Sequence, residues 1–276
     1  MRTFSIVAII SLLFGFVPLA SAQDQIRVQR GGDNPIYKIT INVVERTTTA
    51  VNYRHRSGST PIEFRGTPLL PDAKGEAKVE SKQGYMEINA KFDELQPATR
   101  FGPEYLTYVM WAITPEGRPV NLGEVILKGD NSKLEVTNDL QAFGLIVTAE
   151  PYFAVTQPSN VVVMENFIRP DTKGKFEQVD AKYELLERGV YTVDVPPAQL
   201  KPIRLDKEIP LELYEAKNAV RIARWMGADK DAADTFKKAE GLLTQAEHLR
   251  VEGKSYKSTV QAARQAVQTA EDARLI

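Results

Sequence analysis

The amino-acid sequence predicts a β domain followed by an α-helical domain, because the spacing of its apolar residues changes along the chain. Between residues 37 and 164 apolar residues recur at every second position, the period of a strand with one buried face. From residue 216 onward they recur at every third and fourth position, the period of an amphipathic helix. A stretch with several Pro residues lies between the two patterns. We therefore expect a β domain at 23–170, a linker at 171–209 and a helical domain at 210–276.

Short segments with alternating apolar and polar side chains define the β domain. They are Tyr37–Val43, Ile62–Phe64, Met86–Phe92 and Leu134–Val136, and two further strands are expected at Phe143–Val147 and Val161–Met164. Residues 106–113 are instead apolar on both faces around Trp111, which predicts a central strand covered on both sides. About eight short strands separated by turns favour an immunoglobulin-like antiparallel β-sandwich, with a small barrel as the alternative. Within the linker, Lys182–Val195 is a candidate strand or hairpin.

Three apolar stripes predict three helices in the last part of the chain. The stripes are Ala216, Ala219, Val220, Ala223 and Met226; Phe236, Ala239, Leu243, Ala246 and Leu249; and Tyr256, Val260, Ala263, Val267 and Ala270. Because many of these residues are Ala, the helix axes can approach closely, and we expect an antiparallel three-helix bundle ending its first helix at Gly227. So small a bundle buries little apolar area. We therefore expect it to dock on the β domain, on a second copy or on a partner.

Composition and motifs exclude several classes of function. The chain has 35 Lys and Arg against 36 Asp and Glu, so no basic excess indicates nucleic-acid binding. It has no Cys and two His, and it lacks the common nucleotide-binding, calcium-binding and serine-nucleophile motifs. No catalytic, cofactor-binding or metal-binding residue is therefore predicted. A pair of catalytic carboxylates stays open, because such a pair forms in space and leaves no local motif.

The N-terminus indicates export. Arg2 is followed by a mostly apolar run from Phe4 to Ala20, and Ala20-Ser21-Ala22 matches a signal-peptidase site. We expect residues 1–22 to be a signal peptide cleaved after Ala22, with an uncleaved anchor as the alternative. No later apolar run has the length of a membrane-spanning helix, so the mature protein is expected in the periplasm or associated with the cell envelope.

Two places in the sequence are candidate contact sites. Arg54, His55 and Arg56 stand together near a Ser-Gly turn, where they would form a patch for an anion or a partner. The alternative is a charged strand end that prevents edge-to-edge pairing. Trp225, near the end of the first helix, is a candidate partner anchor or else packs against the next helix.

A group of aromatic residues is a third candidate. Tyr105 and Tyr108 lie beside Trp111, and together they would offer a sugar-stacking face if exposed. Packing in the core is the alternative interpretation of the same residues.

Two segments resemble known bacterial modules. Tyr105–Glu124 resembles a segment of envelope proteins with an immunoglobulin-like β domain, and it is similar to the extracytoplasmic domains of anti-sigma factors. Ala219–Asp229, with Phe236–Glu240 and Gln245–Glu247, resembles an Ala-rich helical domain of unknown function. In exported bacterial proteins that domain often precedes an OmpA-like peptidoglycan-binding domain. This sequence ends at Ile276, after the third predicted helix, so the resemblance implies an envelope location without implying peptidoglycan binding.

These observations lead to an expected function. We expect a non-enzymatic exported scaffold or adaptor that contacts an envelope protein, with no nucleic-acid partner and no cofactor. A module that binds cell-wall glycan or another small ligand is the alternative, although no peptidoglycan-binding motif supports it. An enzyme using paired carboxylates ranks third, because no nucleophile, metal or cofactor motif accompanies it.

Overall fold

A computed structural model describes residues 43–53, 58–129, 131–167, 179–186, 205–253 and 255–276. All of them belong to one compact unit. The predicted signal peptide, the Arg54–Arg56 cluster and most of the predicted strand at Tyr37–Val43 lie outside the described residues.

The described residues contain ten β-strands, and every strand pair is antiparallel. They are β1 (Val43–Asn52), β2 (Ser59–Gly66), β3 (Lys74–Ser81), β4 (Met86–Asp93), β5 (Thr107–Ile113), β6 (Pro119–Val125), β7 (Ser132–Asn138), β8 (Ala142–Glu150), β9 (Val162–Phe167) and β10 (Val179–Leu186). The segments predicted as strands around Ile62, Met86, Leu134, Phe143 and Val161 correspond to β2, β4, β7, β8 and β9.

Eight of these strands form one nearly closed sheet. They pair in the order β6-β5-β8-β9-β2-β3-β4-β7. The two end strands then meet, since a Cβ placed on Gly123 of β6 would lie 3.6 Å from the side chains of Leu134 and Val136 on β7. Strands β1 and β10 form a separate ribbon, which joins the sheet where Val51 and Asn52 pair with the start of β8.

The prediction of an immunoglobulin-like sandwich is therefore wrong. A sandwich has two separate sheets packed face to face, whereas here hydrogen-bonded pairing runs continuously through β8, β9 and β2. Register shifts opposite Met110/Trp111 and Val147/Thr148 leave one extra residue in β6 and one in β9, and such bulges increase strand twist and help a sheet curl. The small barrel considered as the alternative is closer to the observed barrel-like sheet. The alternation of apolar and polar residues could not distinguish a sandwich from a barrel, because the strands of both architectures have one buried face.

The inside of the curled sheet is a packed apolar core. Its largest members include Tyr53, Ile62, Phe64, Ile88, Phe92, Tyr108 and Phe143. The Phe64 and Phe92 rings meet edge to face with centroids 5.1 Å apart, a geometry that aromatic pairs favour.

Strand β5 is buried on both faces, as its sequence predicts, because all seven of its residues are buried. Tyr108, Met110 and Ala112 point into the sheet interior, while Val109, Trp111 and Ile113 belong to a second core on the outer face. The outer face of β5 and β8 is therefore the surface on which the helices dock.

The described residues contain four α-helices, whose apolar side chains share the core on this outer face: α1 (Leu211–Trp225), α2 (Ala228–Asp231), α3 (Ala233–Val251) and α4 (Tyr256–Leu275). The prediction of a three-helix bundle is wrong in number, because the single-turn helix α2 stands between the first two predicted helices. Gly227 ends α1 with a left-handed φ of 90°, where glycine has no Cβ penalty, and one further turn follows before α3.

The helical layer buries its apolar stripes against the sheet. Ala216, Ala219, Ala223, Ala263 and Val267 share one core with Val109, Trp111, Ile146 and Val162 of the strands. Tyr256 is an exception to its predicted stripe, since it is 64% exposed. In the described part of the chain, no helix combines the length and the apolar character needed to cross a membrane.

Candidate functional site

A cavity of about 370 Å³ opens where β6, the segment after β8 and helix α4 meet. Its polar lining comes from Asn121, Glu124, Thr156, Arg264 and Gln268. Phe153 supplies an aromatic surface. A volume of this size lies at the lower end of the range for small-molecule sites.

Arg264 on α4 is the cationic group of the cavity. Its guanidinium carbon lies 3.9 Å from the centre of the Phe153 ring, within the range of a cation–π contact. The Nη1 atom lies 3.1 Å from Oε2 of Glu124 and 3.8 Å from Oε1 of Glu212. Because the side chain is still 40% exposed, Arg264 can also meet a molecule in the cavity.

Asn121 on β6 is oriented by the backbone opposite it. Its Nδ2 atom donates to the carbonyl oxygens of Phe153 at 2.9 Å and Val155 at 2.8 Å. Both amide hydrogens are used in this way, which leaves Oδ1 as the group that can accept a hydrogen bond from a ligand.

Glu124 connects the cavity to the interior. Oε1 accepts a hydrogen bond from the Thr107 hydroxyl at 2.8 Å, and Oε2 accepts one from Arg264. The side chain is only 4% exposed.

Glu215 on α1 lies behind Glu124 and is fully buried. Neither of its carboxyl oxygens has a hydrogen-bond donor among the described residues, yet the Glu124 carboxyl lies within hydrogen-bonding reach. Two carboxyl groups can share a hydrogen bond only when one of them is protonated. Burial, followed by the charges of Glu124 and Glu212, raises the pKa of Glu215 well above its ordinary value, and Arg264 opposes this only weakly.

A second buried glutamate, Glu271 on α4, has the opposite environment. It accepts hydrogen bonds from Tyr152 Oη at 2.7 Å, from Thr156 N at 3.0 Å and Thr156 Oγ1 at 2.8 Å, and from Arg274 Nε at 2.7 Å. Burial alone would raise the pKa of Glu271, but Arg274 and the two hydroxyls outweigh burial and lower it. This ionised cluster ties α4 to the segment that forms one wall of the cavity.

Of the contact residues predicted from the sequence, only Trp225 lies among the described residues. Arg54, His55 and Arg56 are outside the described residues. Trp225 is half-buried at the end of α1, where it packs on the helical core with the Arg221 guanidinium carbon 5.0 Å from its ring centre.

The aromatic residues around Trp111 belong to the core. Tyr105 is 3% exposed, and Tyr108 and Trp111 are fully buried. Tyr108 donates its hydroxyl to the carbonyl of Gln96 at 2.6 Å, and Trp111 Nε1 donates to Thr148 Oγ1 at 2.8 Å. The interpretation as a sugar-stacking face is therefore wrong, and the alternative of core packing is confirmed.

Sequence reasoning missed every residue of the cavity. One signal was present for the buried acids, because Glu215 and Glu271 fall on the apolar stripes, four residues from Ala219 and Val267. A charged residue in an apolar stripe needs a buried partner. No comparable signal existed for Asn121 or Arg264, whose roles depend on contacts between distant segments.

Among the described residues, no group of three or more His, Cys, Asp or Glu is arranged to hold a metal ion. Comparison of the chain with family models, with curated proteins and with solved structures found no match. The resemblance to envelope proteins therefore stays a prediction.

Proposed function

We propose that this protein is a non-enzymatic binding module whose ligand is a small hydroxyl-rich molecule such as a saccharide unit. The cavity at β6 and α4 is the observation that carries the proposal. It presents a fixed cation, a buried carboxylate, two amide side chains and an aromatic ring within one concave surface, which is the usual composition of a polar ligand site.

The chemistry of the lining favours hydroxyl groups. A sugar hydroxyl can both donate and accept a hydrogen bond. Planar amide and guanidinium groups hold it well, because their donors and acceptors point in fixed directions. Asn121 Oδ1 accepts, Arg264 donates, and the Gln268 amide can do both. A purely anionic ligand would compete with Glu124 and Glu212 for the same guanidinium, so a neutral polar ligand fits better.

The positions of the acidic residues support a binding role over catalysis. Hydrolysis by two carboxyl groups needs both of them beside the scissile bond. Of the clustered acids Glu124, Glu212 and Glu215, only Glu124 lines the cavity, while Glu215 is fully enclosed. Ligand turnover by this pair is therefore not part of the proposal.

A titration followed by amide NMR tests the proposal. N-acetylglucosamine and its short oligomers would be added to the folded protein, and we expect shift changes confined to β6, the segment around Phe153 and the middle of α4. Gln268→Trp should abolish these changes by filling the mouth of the cavity. Gln265→Trp, on the same helix but outside the lining, should leave them unchanged. Equal responses of the two variants, or shifts elsewhere, would refute the cavity as the site.

The adaptor role is a second candidate, supported by the turn between α3 and α4. Val251 is 81% exposed and Tyr256 is 64% exposed, so two large apolar side chains flank this turn. A photo-crosslinking amino acid at Tyr256 should capture one envelope protein in cells, whereas the same group at exposed Lys91 on β4 should not. The same products from both positions would exclude this surface.

Export to the periplasm or cell envelope is part of the proposal, supported by the apolar run and the Ala20-Ser21-Ala22 pattern. N-terminal sequencing of the protein from fractionated cells should give a chain that starts at Gln23. A chain in the cytoplasmic fraction that keeps residues 1–22 would contradict it.

A further inference from the structure

We propose that helix α1 is held on the sheet by a proton shared between Glu215 and Glu124, so that loss of this proton as the pH rises releases α1 while the sheet stays folded. This regulatory device is separate from the ligand proposed above and is argued from the contacts of the two carboxyl groups.

The surroundings of Glu215 require its carboxyl group to carry a proton. Glu215 is fully buried, and neither of its oxygens receives a hydrogen bond from a described residue. An ionised carboxylate in this position would be desolvated without compensation, which proteins avoid by protonating the group. The proton then has one acceptor at hand, the carboxylate of Glu124.

Three charged side chains face Glu215. Glu124 comes from β6, Glu212 from α1 itself and Arg264 from α4. Arg264 is the single cation of this group, and it already contacts both Glu124 and Glu212. If Glu215 ionised, three negative charges would face one positive charge, and two of the three would be in direct contact across the helix–sheet boundary.

Helix α1, and not strand β6, is the element that would move if the two carboxylates repelled each other. Glu124 is fixed within β6, which pairs with β5, and Thr107 of β5 also binds it. Helix α1 is held by side-chain packing and by Asn218, whose Nδ2 donates to the carbonyl oxygens of Glu104 at 3.0 Å and Pro151 at 3.3 Å. It has no strand pairing, and it ends at Gly227, where the left-handed backbone lets the chain change direction. Repulsion between the two carboxylates would therefore lift α1 from the sheet rather than unpair the strands.

Hydrogen–deuterium exchange over a series of pH values tests the proposal in the full-length protein. After correction for the intrinsic pH dependence of exchange, the protection factor of α1 should fall about tenfold per pH unit between the ordinary and the raised pKa of Glu215. In this pH range Glu215 releases its proton when α1 opens, and the release of one proton changes the opening equilibrium tenfold per pH unit. The protection of β4 should stay constant and serves as an internal control.

Two matched variants complete the test. Glu215→Gln keeps the shape and can donate to Glu124 at every pH, so α1 should lose its pH dependence. Glu212→Gln, one turn away on the same helix, removes a charge that raises the pKa of Glu215, so the fall in protection should begin at the same pH, end at a lower pH and be smaller in total. The proposal is overturned if Glu215→Gln retains the wild-type slope, or if α1 and β4 lose protection together. Should Glu215→Gln not fold, the wild-type comparison of α1 with β4 and the shift in Glu212→Gln decide the question.

Discussion

Glu215 and Glu271 are both fully buried on helices that face the same sheet, yet their pKa values are shifted in opposite directions. Glu271 is surrounded by donors from Tyr152, Thr156 and Arg274 and stays ionised. Glu215 instead meets another carboxyl group, and burial together with that neighbour raises its pKa. The difference shows that burial alone does not set the charge of a carboxyl group, since the donors of neighbouring segments decide it.

The largest expected effect comes from removing the ionised member of the pair. Glu271→Ala leaves Arg274, whose side chain is only 10% exposed, without its carboxylate, and it breaks the link between α4 and the cavity wall. Removing one partner of a buried ion pair costs about 3–5 kcal/mol, and we expect this loss in urea unfolding. Asp272→Ala, at the adjacent exposed position, should cost less than about 0.5 kcal/mol. Similar losses in both variants would contradict the role assigned to Glu271.

The next effect is the pH dependence of stability, which should have opposite signs for the two residues. Glu215 has a pKa raised above the ordinary 4.5, so its stabilising contribution is complete below that value and is lost as pH rises toward the raised pKa. The slope for one proton is about 1.4 kcal/mol per pH unit. Glu215→Gln should remove this loss, so its unfolding free energy should exceed that of the wild type increasingly toward alkaline pH. A constant difference between the two proteins at all pH values would rule out a titrating Glu215.

Glu271 should make the free energy of unfolding fall at acidic pH. Its pKa is lowered below 4.5, so its contribution is present above that value and is lost as pH falls through the lowered pKa. Asp272→Ala should retain this acid loss, measured by urea unfolding at each pH. An unfolding free energy of the wild type that does not fall on acidification would show that Glu271 is not held ionised.

A smaller effect should distinguish the two carboxylates by the number of their donors. Thr107→Val removes the hydroxyl that binds Glu124, and Thr156→Val removes one of several donors to Glu271. We expect a loss of about 1–3 kcal/mol for Thr107→Val and a smaller loss for Thr156→Val, because the backbone N–H of residue 156 still binds Glu271. Thermal unfolding of the two variants measures the difference, and the reverse order would contradict this assignment of donors.

The smallest effect should come from an exposed ion pair on the outer surface of the helices. Lys217 and Glu247 lie 3.0 Å apart, but their side chains are 51% and 45% exposed. Lys217→Ala should cost at most about 1 kcal/mol, and added salt should reduce the difference further. A larger and salt-independent loss would mean that the exposed pair carries more of the helix docking than the buried acids do.

Much of the secondary structure follows from the sequence, since the periods of two and of three to four residues identify strands and helices locally. The buried central strand around Trp111 and the end of α1 at Gly227 were predicted for physical reasons that the structure confirms. The curling of the sheet could not be predicted from the sequence. The alternation of apolar and polar residues shows which face of a strand is buried, but it does not show which strands pair with it. Its closure depends on contacts such as Gly123 with Leu134, which no local pattern encodes.

The site was less predictable than the fold, and the two glutamates show why. Each falls on an apolar stripe, so the sequence alone marks both as unusual. Their charge states depend on partners far along the chain, since Tyr152 is 119 positions from Glu271 and Glu124 lies on another element from Glu215. A sequence pattern records the type of a residue, whereas the partner that decides its ionisation is set by the tertiary structure.

The most direct test of the account is an NMR titration of the glutamate side-chain carboxyl carbons, with Glu215→Gln used to assign the Glu215 signal. The account predicts that Glu215 titrates at a pH well above its ordinary pKa of 4.5, while the Glu271 carboxyl stays ionised until the pH falls below that ordinary value. Titration of both groups together, near the ordinary value, would contradict the account, because it would mean that neither environment sets the charge of its carboxyl group.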